Sequence, residues 1–358
     1  MKKILSMLLV AVMLCTFVAA TGCGTKTPDN STPAGNDSVE TLKFGLGVVA
    51  SYGSAKDADG DTNGSGEVVT TAVAVLLDAE GKIVKIDLDS AQIKAAWTSA
   101  GAAVAPTSLK TKYDLGADYK MATYGASQDR NGDGKVLEWN EQADAFMATA
   151  TGKTLAEVKA FVAEDGYTTG DLATAGCTIN VFEFINALEK AVAAAADSQA
   201  TAADALNVAL VSSAPTKDAT EEADGNVEVD TTIVAAVVNA EGKVVVSKTD
   251  CVQGKVTFNL TGGATVDTTA AIETKREKGD NYNMATYGAS QDRNGDGKVL
   301  EWYAQADAFD AALVGKAAAD FAGFADAEGY GTGDLATAGC TIGVTDMIAA
   351  AVKAATVA

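Results

Sequence analysis

MATYGASQDRNGDGKVLEW at Met121–Trp139 recurs without a change at Met284–Trp302, and this repeat decides the architecture of the chain. A second block, GDLATAGCTI, also occurs twice, at Gly170–Ile179 and Gly333–Ile342. Both pairs lie 163 positions apart (121 to 284 and 170 to 333), so the segments between the blocks are equal in length. Two copies at so long a period indicate a duplicated domain, because solenoid repeats recur about every 20–50 residues.

The duplication extends upstream of the identical blocks. DAEGKIVKIDLDS at Asp78–Ser90 matches NAEGKVVVSKTDC at Asn239–Cys251. The sequence therefore predicts two tandem domains, at residues 40–196 and 202–358. The Ala-rich join between them could be helical or loose.

The first part of each copy is rich in β-forming residues. Val68–Leu77 and Lys82–Leu88 flank Asp78-Ala79-Glu80-Gly81, which is typical of a hairpin with Gly near the end of its turn. In the second copy Gly254–Leu260 predicts a further strand, and we extend this assignment to Ile93–Trp97 in the first copy.

The second part of each copy has helical spacing of its apolar residues. One helix is predicted after Trp139, with Ala143, Phe146 and Met147 on one face, and the next around Leu155–Val162. The last helix is predicted to start just after Thr178. Its inward residues would be Val181, Phe184, Ile185 and Leu188. An antiparallel sheet followed by helices predicts an α+β fold in each copy.

The first residues predict a location outside the cytoplasm. Lys2 and Lys3 precede an apolar run that ends in Ala20-Thr21-Gly22-Cys23, the pattern of a lipoprotein cleavage site. We expect residues 1–22 to be a signal peptide and Cys23 to be lipidated, which would hold the chain on the extracytoplasmic face of the membrane. Residues 23–39 would be a flexible tether. The alternative is an uncleaved membrane anchor.

Composition excludes several classes of function. The net charge of −21 argues against a nucleic-acid partner, since DNA and RNA binding depends on basic residues. The chain has no histidine, which excludes His-ligated haem and every Ser/His or Cys/His catalytic pair. Five cysteines do not make a disulfide framework. We assign no catalytic residue and no metal ligand.

Asp129-Arg130-Asn131-Gly132-Asp133-Gly134 is similar to the opening of an EF-hand calcium loop. The bidentate acid of such a loop belongs at its twelfth position, which is Asn140 here and Tyr303 in the second copy. Glu138 stands two positions too early. We therefore favour a tight Asx/Gly turn over a calcium site.

The GDLATAGCTI block ends in a Thr at the predicted mouth of a helix. Free N–H groups and the helix dipole make such an end suitable for an anion, so a phosphate on the Thr178 hydroxyl would be well placed. The other interpretation is that Thr178 only caps the helix.

This block resembles the flavinylation motif of the FMN-binding domain family, which includes covalently flavinylated lipoproteins of extracellular electron transfer. The resemblance implies one FMN in each copy, joined through a phosphoester to Thr178 and Thr341, with Asp171 and Asp334 at the other end of the motif. Thr174 and Thr337 are the fallback attachment sites. The resemblance extends over most of each copy, through Thr111-Lys112, Tyr119, Met121, Glu138-Trp139, Gln142 and Gly152-Lys153. The Asp-to-Thr spacing is one residue longer than the family's usual pattern, and a Cys precedes each Thr.

The resemblance implies that further residues surround the flavin. We count as cofactor-binding the residues Leu172, Leu335, Cys177, Cys340, Tyr124, Tyr287, Trp139, Trp302, Met121 and Met284. The aromatic side chains would flank the isoalloxazine ring or else pack in the core. The two cysteines would tune the flavin or be small buried thiols.

The resemblance implies an extracellular electron carrier rather than a self-sufficient enzyme. No G-x-G-x-x-G dinucleotide motif follows a predicted strand, so electrons would come from a membrane NADH dehydrogenase or a quinol. External acceptors such as ferric iron would receive them, and an Mg-dependent flavin transferase would attach the FMN. The alternatives are a lipid-anchored module that binds calcium or a small ligand without a redox role, and a spacer or adhesion protein.

Overall fold

The computed structural model describes residues 40–123, 129–286 and 292–356. The predicted signal peptide, Cys23, the whole tether, Tyr124 and Tyr287 lie outside these ranges. Within them, no helix is long and apolar enough to cross a membrane.

The first repeat builds an antiparallel sheet in the spatial order β4-β3-β2-β1-β5. Its strands are β1 (Lys43–Tyr52), β2 (Gly64–Leu77), β3 (Ile83–Trp97), β4 (Ala103–Val104) and β5 (Ala196–Asp197). In the second repeat, β8 pairs with β6 and β7 along one edge and with β9 along the other. These strands are β6 (Ala205–Ser213), β7 (Thr216–Lys217), β8 (Gly225–Val238) and β9 (Val244–Phe258).

The helices of each repeat follow its long strands in the chain. Those of the first repeat are α1 (Lys112–Leu115), α2 (Trp139–Ala150), α3 (Leu155–Lys159), α4 (Gly170–Thr174) and α5 (Phe182–Ala194). Those of the second are α6 (Lys275–Lys278), α7 (Trp302–Leu313), α8 (Gly333–Thr337) and α9 (Thr345–Ala355). Short 3-10 helices lie at Gly116–Tyr119, Gly279–Tyr282 and Ala318–Phe324.

The central strands are apolar on both faces, which decides how the layers stack. Successive side chains of a strand point to opposite faces, so Val73 and Val75 face the helices while Ala72 and Ala74 face the other way. The same alternation holds for β8 in the second repeat. One face of each sheet is therefore covered by that repeat's own helices, and the other face must find a different cover.

That cover is the sheet of the other repeat. One hydrophobic cluster contains Val68 and Trp97 of the first repeat together with Val227 and Phe258 of the second. Trp97 and Phe258 stack with ring centroids 4.9 Å apart and planes 5° from parallel. The described residues from 40 to 356 belong to one compact unit, ordered as helices, sheet, sheet, helices.

Contacts between the repeats come in reciprocal pairs. Ala58 N donates to Gly262 O at 2.9 Å, and the equivalent Ala219 N donates to Gly101 O at 2.8 Å. The surface ion pair between Lys190 and Glu277 is likewise matched, by Lys353 and Asp114. Each repeat thus presents nearly the same surface to the other.

Helix α5 lies very close to strand β1 because that strand carries glycines. A Cβ added at Gly45 or Gly47 would stand 2.0 Å from the carbonyl oxygens of Ala191 and Ala187, respectively. No side chain fits there, so the two glycines set the distance between the helix layer and the sheet.

The α+β prediction is confirmed, as is the hairpin at Asp78–Gly81. The strand predicted at Ile93–Trp97 is the end of β3, and the join between the repeats contains the short strand β5. The predicted start of the last helix is wrong: α5 begins at Phe182, four residues after Thr178. The division into two tandem domains stays a prediction, since the two repeats share one core.

Three carboxyl groups, of which Asp89 and Asp250 are buried and Asp87 is half-buried, give the fold a pH dependence. Burial raises the pKa of Asp87, Asp89 and Asp250 from the ordinary value of 3.8 to about 6. Between these values the folded chain binds more protons than the unfolded chain, so the stability from these groups is present below pH 4 and lost as the pH rises through 6.

We expect Asp87→Asn to reduce the loss of stability with rising pH, because the neutral amide has no charge to desolvate. The fall in the free energy of unfolding between pH 4 and pH 7 should be smaller by about 2–3 kcal/mol. Urea unfolding at several pH values measures it. If the free energy of unfolding fell with pH by the same amount in the variant and the natural chain, the raised pKa of Asp87 would be contradicted.

Candidate functional site

The GDLATAGCTI block folds in the same way in both repeats. Its first five residues form the short helices α4 and α8. The chain then turns at Gly176, which has a φ of +99° and whose Cβ, if present, would stand 2.6 Å from Leu137. Only glycine suits both conditions, so the turn before Thr178 is fixed by sequence.

Thr178 is held by a glutamine from a distant helix. The Gln142 side-chain oxygen accepts from Thr178 N at 2.8 Å, from Ile179 N at 3.1 Å and from Thr178 Oγ1 at 3.3 Å. The Gln142 amide in turn donates to Leu137 O at 2.9 Å. This arrangement, the glutamine clamp, satisfies two backbone donors inside the protein.

The second repeat has the same clamp. Gln305 accepts from Thr341 N at 2.8 Å and from Thr341 Oγ1 at 3.4 Å, and donates to Leu300 O at 2.8 Å. Thr178 is 4% exposed and Thr341 is 3% exposed. The prediction that free helix N–H groups surround these hydroxyls is therefore wrong: the helices start later, and the glutamine takes the nearby N–H groups.

The other predicted motif residues differ in exposure. Asp171 and Asp334 are exposed on their short helices, whereas Leu172 and Leu335 are buried. Thr174, the fallback attachment site, is exposed and donates through Oγ1 to Gly170 O at 2.9 Å. Its counterpart Thr337 does the same at 3.0 Å.

Cys177 and Cys340 are fully buried. Burial raises the pKa of each thiol to about 12, so both stay protonated and are poor nucleophiles. They match the small buried thiols that were one of the two alternatives predicted for these residues.

Two of the predicted aromatic residues, Trp139 and Trp302, are buried in their repeats. Trp139 is 2% exposed and packs edge-on against Phe184 with centroids 5.7 Å apart. The Lys112 ammonium lies 5.5 Å from the Trp139 ring centroid and 5.4 Å from that of Tyr119. Burial lowers the pKa of Lys112, although nearby carboxylates led by Glu183 oppose this.

Met121 and Met284 belong to segments held by a carboxylate. Glu138 accepts from Met121 N at 2.8 Å, and Glu301 accepts from Met284 N at the same distance. Both methionines are partly buried against the core of their own repeat. Glu138 thus has a structural task, which accounts for its position in the repeated block.

The acidic loop before Glu138 forms Asx turns. Asp129 accepts from Asp133 N at 3.1 Å and from Gly134 N at 3.0 Å, and Asp133 accepts from Lys135 N at 2.8 Å. Within the described ranges no group of three or more Cys, Asp or Glu side chains could hold a metal ion. The predicted turn is confirmed.

Sequence reasoning missed what this loop touches. The Arg130 guanidinium lies 3.2 Å from the Tyr167 ring centroid, and Arg293 lies equally close to Tyr330. Asn131 donates to Ala173 O at 3.1 Å, which ties the loop to α4. The sequence contained a signal for this contact, because Arg130 and Tyr167 recur as Arg293 and Tyr330, both 163 positions later.

Two cavities of the second repeat include residues of the predicted site. One, of about 600 Å³, has an apolar wall of alanines and Phe324, and includes Asp334 and Leu335. The other, of about 340 Å³, is polar and includes Trp302 and Lys275. The structure therefore does not bring Trp302 and Asp334 into one cavity. Neither Gln305 nor Thr341 lines either cavity.

No protein-family model, no curated protein and no solved structure matches this chain.

The clamp gives a direct test of how firmly the block is held. Gln142→Ala leaves Thr178 N and Ile179 N without their acceptor, so we expect amide hydrogen exchange at these two residues to speed up by tenfold or more. Gln305→Ala is the matched control. It should speed exchange at Thr341 and leave Thr178 unchanged. Unaltered exchange at Thr178 in Gln142→Ala would show that the clamp does not hold the loop.

Proposed function

We propose that the chain is a membrane-anchored, extracytoplasmic electron-transfer flavoprotein with two tandem FMN-binding domains. Each domain carries one covalent FMN on a threonine, Thr178 or Thr341, attached by an Mg-dependent flavin transferase. A membrane NADH dehydrogenase or a quinol supplies electrons, and external acceptors such as ferric iron receive them.

The observation that carries this proposal is the duplicated block and its duplicated setting. The motif that resembles a flavinylation site has the same helix, the same turn and the same glutamine clamp in both repeats. In contrast, the final helices differ in sequence, NVFEFINALEKAV against GVTDMIAAAVKAA. A need for the same modification in both repeats explains why identity is concentrated in this block.

The cavity beside Asp334 suits a flavin ring in size and chemistry. Its volume of about 600 Å³ lies within the range of small-molecule sites, and its alanine wall with Phe324 offers a flat apolar surface. Lys316 lies at the same cavity, whereas Thr341, which would carry the phosphoester, does not line it. The flavin would supply the redox chemistry, and these residues would orient it and keep water away.

The glutamine clamp sets a condition on attachment. The hydroxyls of Thr178 and Thr341 are nearly buried and contact Gln142 and Gln305, so a transferase must act while the loop is released from the glutamine. Asp171 and Asp334 stay exposed in the folded chain and are open to recognition. Attachment would then precede closure of the loop.

The first test is covalent flavin. Expressed with a flavin transferase, the protein should be yellow and stay yellow after denaturation, and peptides with Thr178 and Thr341 should carry FMN with loss of water. Thr178→Ala and Thr341→Ala should each lose about half of the bound flavin, and the double variant all of it.

Thr174→Ala with Thr337→Ala is the matched control and should keep full loading. A double Thr178/Thr341 variant that stays flavinylated, with label on the Thr174 peptide, would move the site to the exposed threonines. Colourless protein with an active transferase would refute the proposal.

The second test follows the electrons. Since neither repeat has a dinucleotide motif, NADH alone should reduce the loaded protein slowly or not at all. Membranes with a quinol-forming dehydrogenase should reduce it quickly, and soluble ferric complexes should reoxidise it, as stopped-flow absorbance would show. Rapid, saturable reduction by NADH without a partner would identify an oxidoreductase in its own right.

A further inference from the structure

A cavity of about 660 Å³ separates the edge of β1 from β9 at the boundary between the repeats. Its apolar wall comes from both repeats and includes Phe44, Leu46, Val48 and Val246. Its charged residues are three bases, Lys190, Lys248 and Arg276, and three acids, Asp197, Asp250 and Glu277. It is remote in sequence from the GDLATAGCTI blocks, none of whose residues line it.

The reciprocal groove, between the edge of β6 and β3, is closed by the chain itself. The Asp87 carboxylate of β3 accepts from Val208 N of β6 at 2.6 Å. Lys85 of β3 donates to the carbonyl oxygen of Asp204, just before β6. The backbone N–H at that sheet edge thus donates its hydrogen bond to a carboxylate of the chain itself.

Strand pairing shows which residues correspond in the open cavity. In the first sheet Leu46 and Asp87 both pair with Ala74, and in the second sheet Val208 and Lys248 both pair with Ala235. The counterpart of the Asp87–Val208 contact is therefore Lys248 facing Leu46. The carboxylate of the closed groove has been replaced by an ammonium group.

The Leu46 N–H points into this cavity. Alternate residues of a strand direct their backbone groups to the same side. Leu42 N donates outward to Ala200 O at 2.8 Å, and Val48 O accepts from the Lys190 ammonium at 2.8 Å. Leu46 lies between them in the same alternation, so its N–H also points away from β2. The corresponding N–H of the second repeat, that of Val208, is the one that donates to the Asp87 carboxylate.

The Leu46 N–H and the Lys248 ammonium favour an anion at this point of the cavity. Lys248 pairs with Asp307 at 2.8 Å, and Arg276 pairs with Asp307 at 2.8 Å and with Asp310 at 3.0 Å. Glu277 is paired with Lys190, and Asp250 accepts backbone N–H groups of Cys251 and Arg276. An entering carboxylate would meet the Leu46 N–H and the Lys248 ammonium, whose partner Asp307 also pairs with Arg276.

We propose that this cavity binds a small organic carboxylate with an apolar body. Its carboxylate accepts from Leu46 N–H and pairs with Lys248, in the position that the Asp87 side chain takes in the closed groove. Its apolar body lies along Phe44, Val48 and Val246. The site is independent of any flavin.

The test uses the full chain and three probes of equal length: octanoate, octanol and octylamine. Calorimetry should show saturable binding of octanoate, at least tenfold weaker binding of octanol, and none of octylamine. Lys248→Met should weaken octanoate binding by tenfold or more, because it removes a charged partner. Ala193→Trp, which fills the cavity from α5, should abolish it.

Lys217→Met, an exposed lysine on β7, is the control and should bind octanoate normally. Thermal melts of each variant establish that it is folded. The proposal fails if octanoate does not bind the natural chain, if octanol binds as tightly, or if a folded Lys248→Met variant keeps its affinity. Flavin loading has no part in this readout, so either proposal can fail alone.

Discussion

Everything in this molecule depends on central strands that are apolar on both faces. Ala72, Ala74 and Leu76 of β2 would face water if only the helices of the first repeat covered the sheet. Burying such residues contributes about 25 cal/mol per Å² of apolar surface, so the uncovered face needs a second layer. The other repeat's sheet provides it, and the stacked pair Trp97 and Phe258 lies where the two sheets meet.

The candidate site depends on a second, smaller constraint. The loop that ends in Thr178 has backbone N–H groups that cannot reach water, and buried donors need acceptors. Gln142 meets this need from α2, and its own amide is satisfied by Leu137 O. The clamp thus couples the motif loop to the helix that follows the identical Met121–Trp139 block.

Local features of this fold could be predicted from sequence, whereas the long-range ones could not. The hairpin at Asp78–Gly81 and the buried face of α5 follow from turn residues and apolar spacing, which neighbouring residues decide. Strand β1 was missed because its glycines hide the strand pattern, and their reason is the close approach of α5. The start of α5 was misplaced because Gln142, 36 positions before Thr178, holds the preceding loop.

The reciprocal contacts between repeats have a consequence for the origin of the chain. A polypeptide with one repeat alone would expose one whole sheet face, and covering that face with an identical subunit gives an isologous homodimer. The present molecule has the geometry of such a dimer with its subunits fused in one gene. After fusion the two halves no longer have to be identical in sequence. One interfacial groove can therefore close on Asp87 while its counterpart stays open beside Lys248.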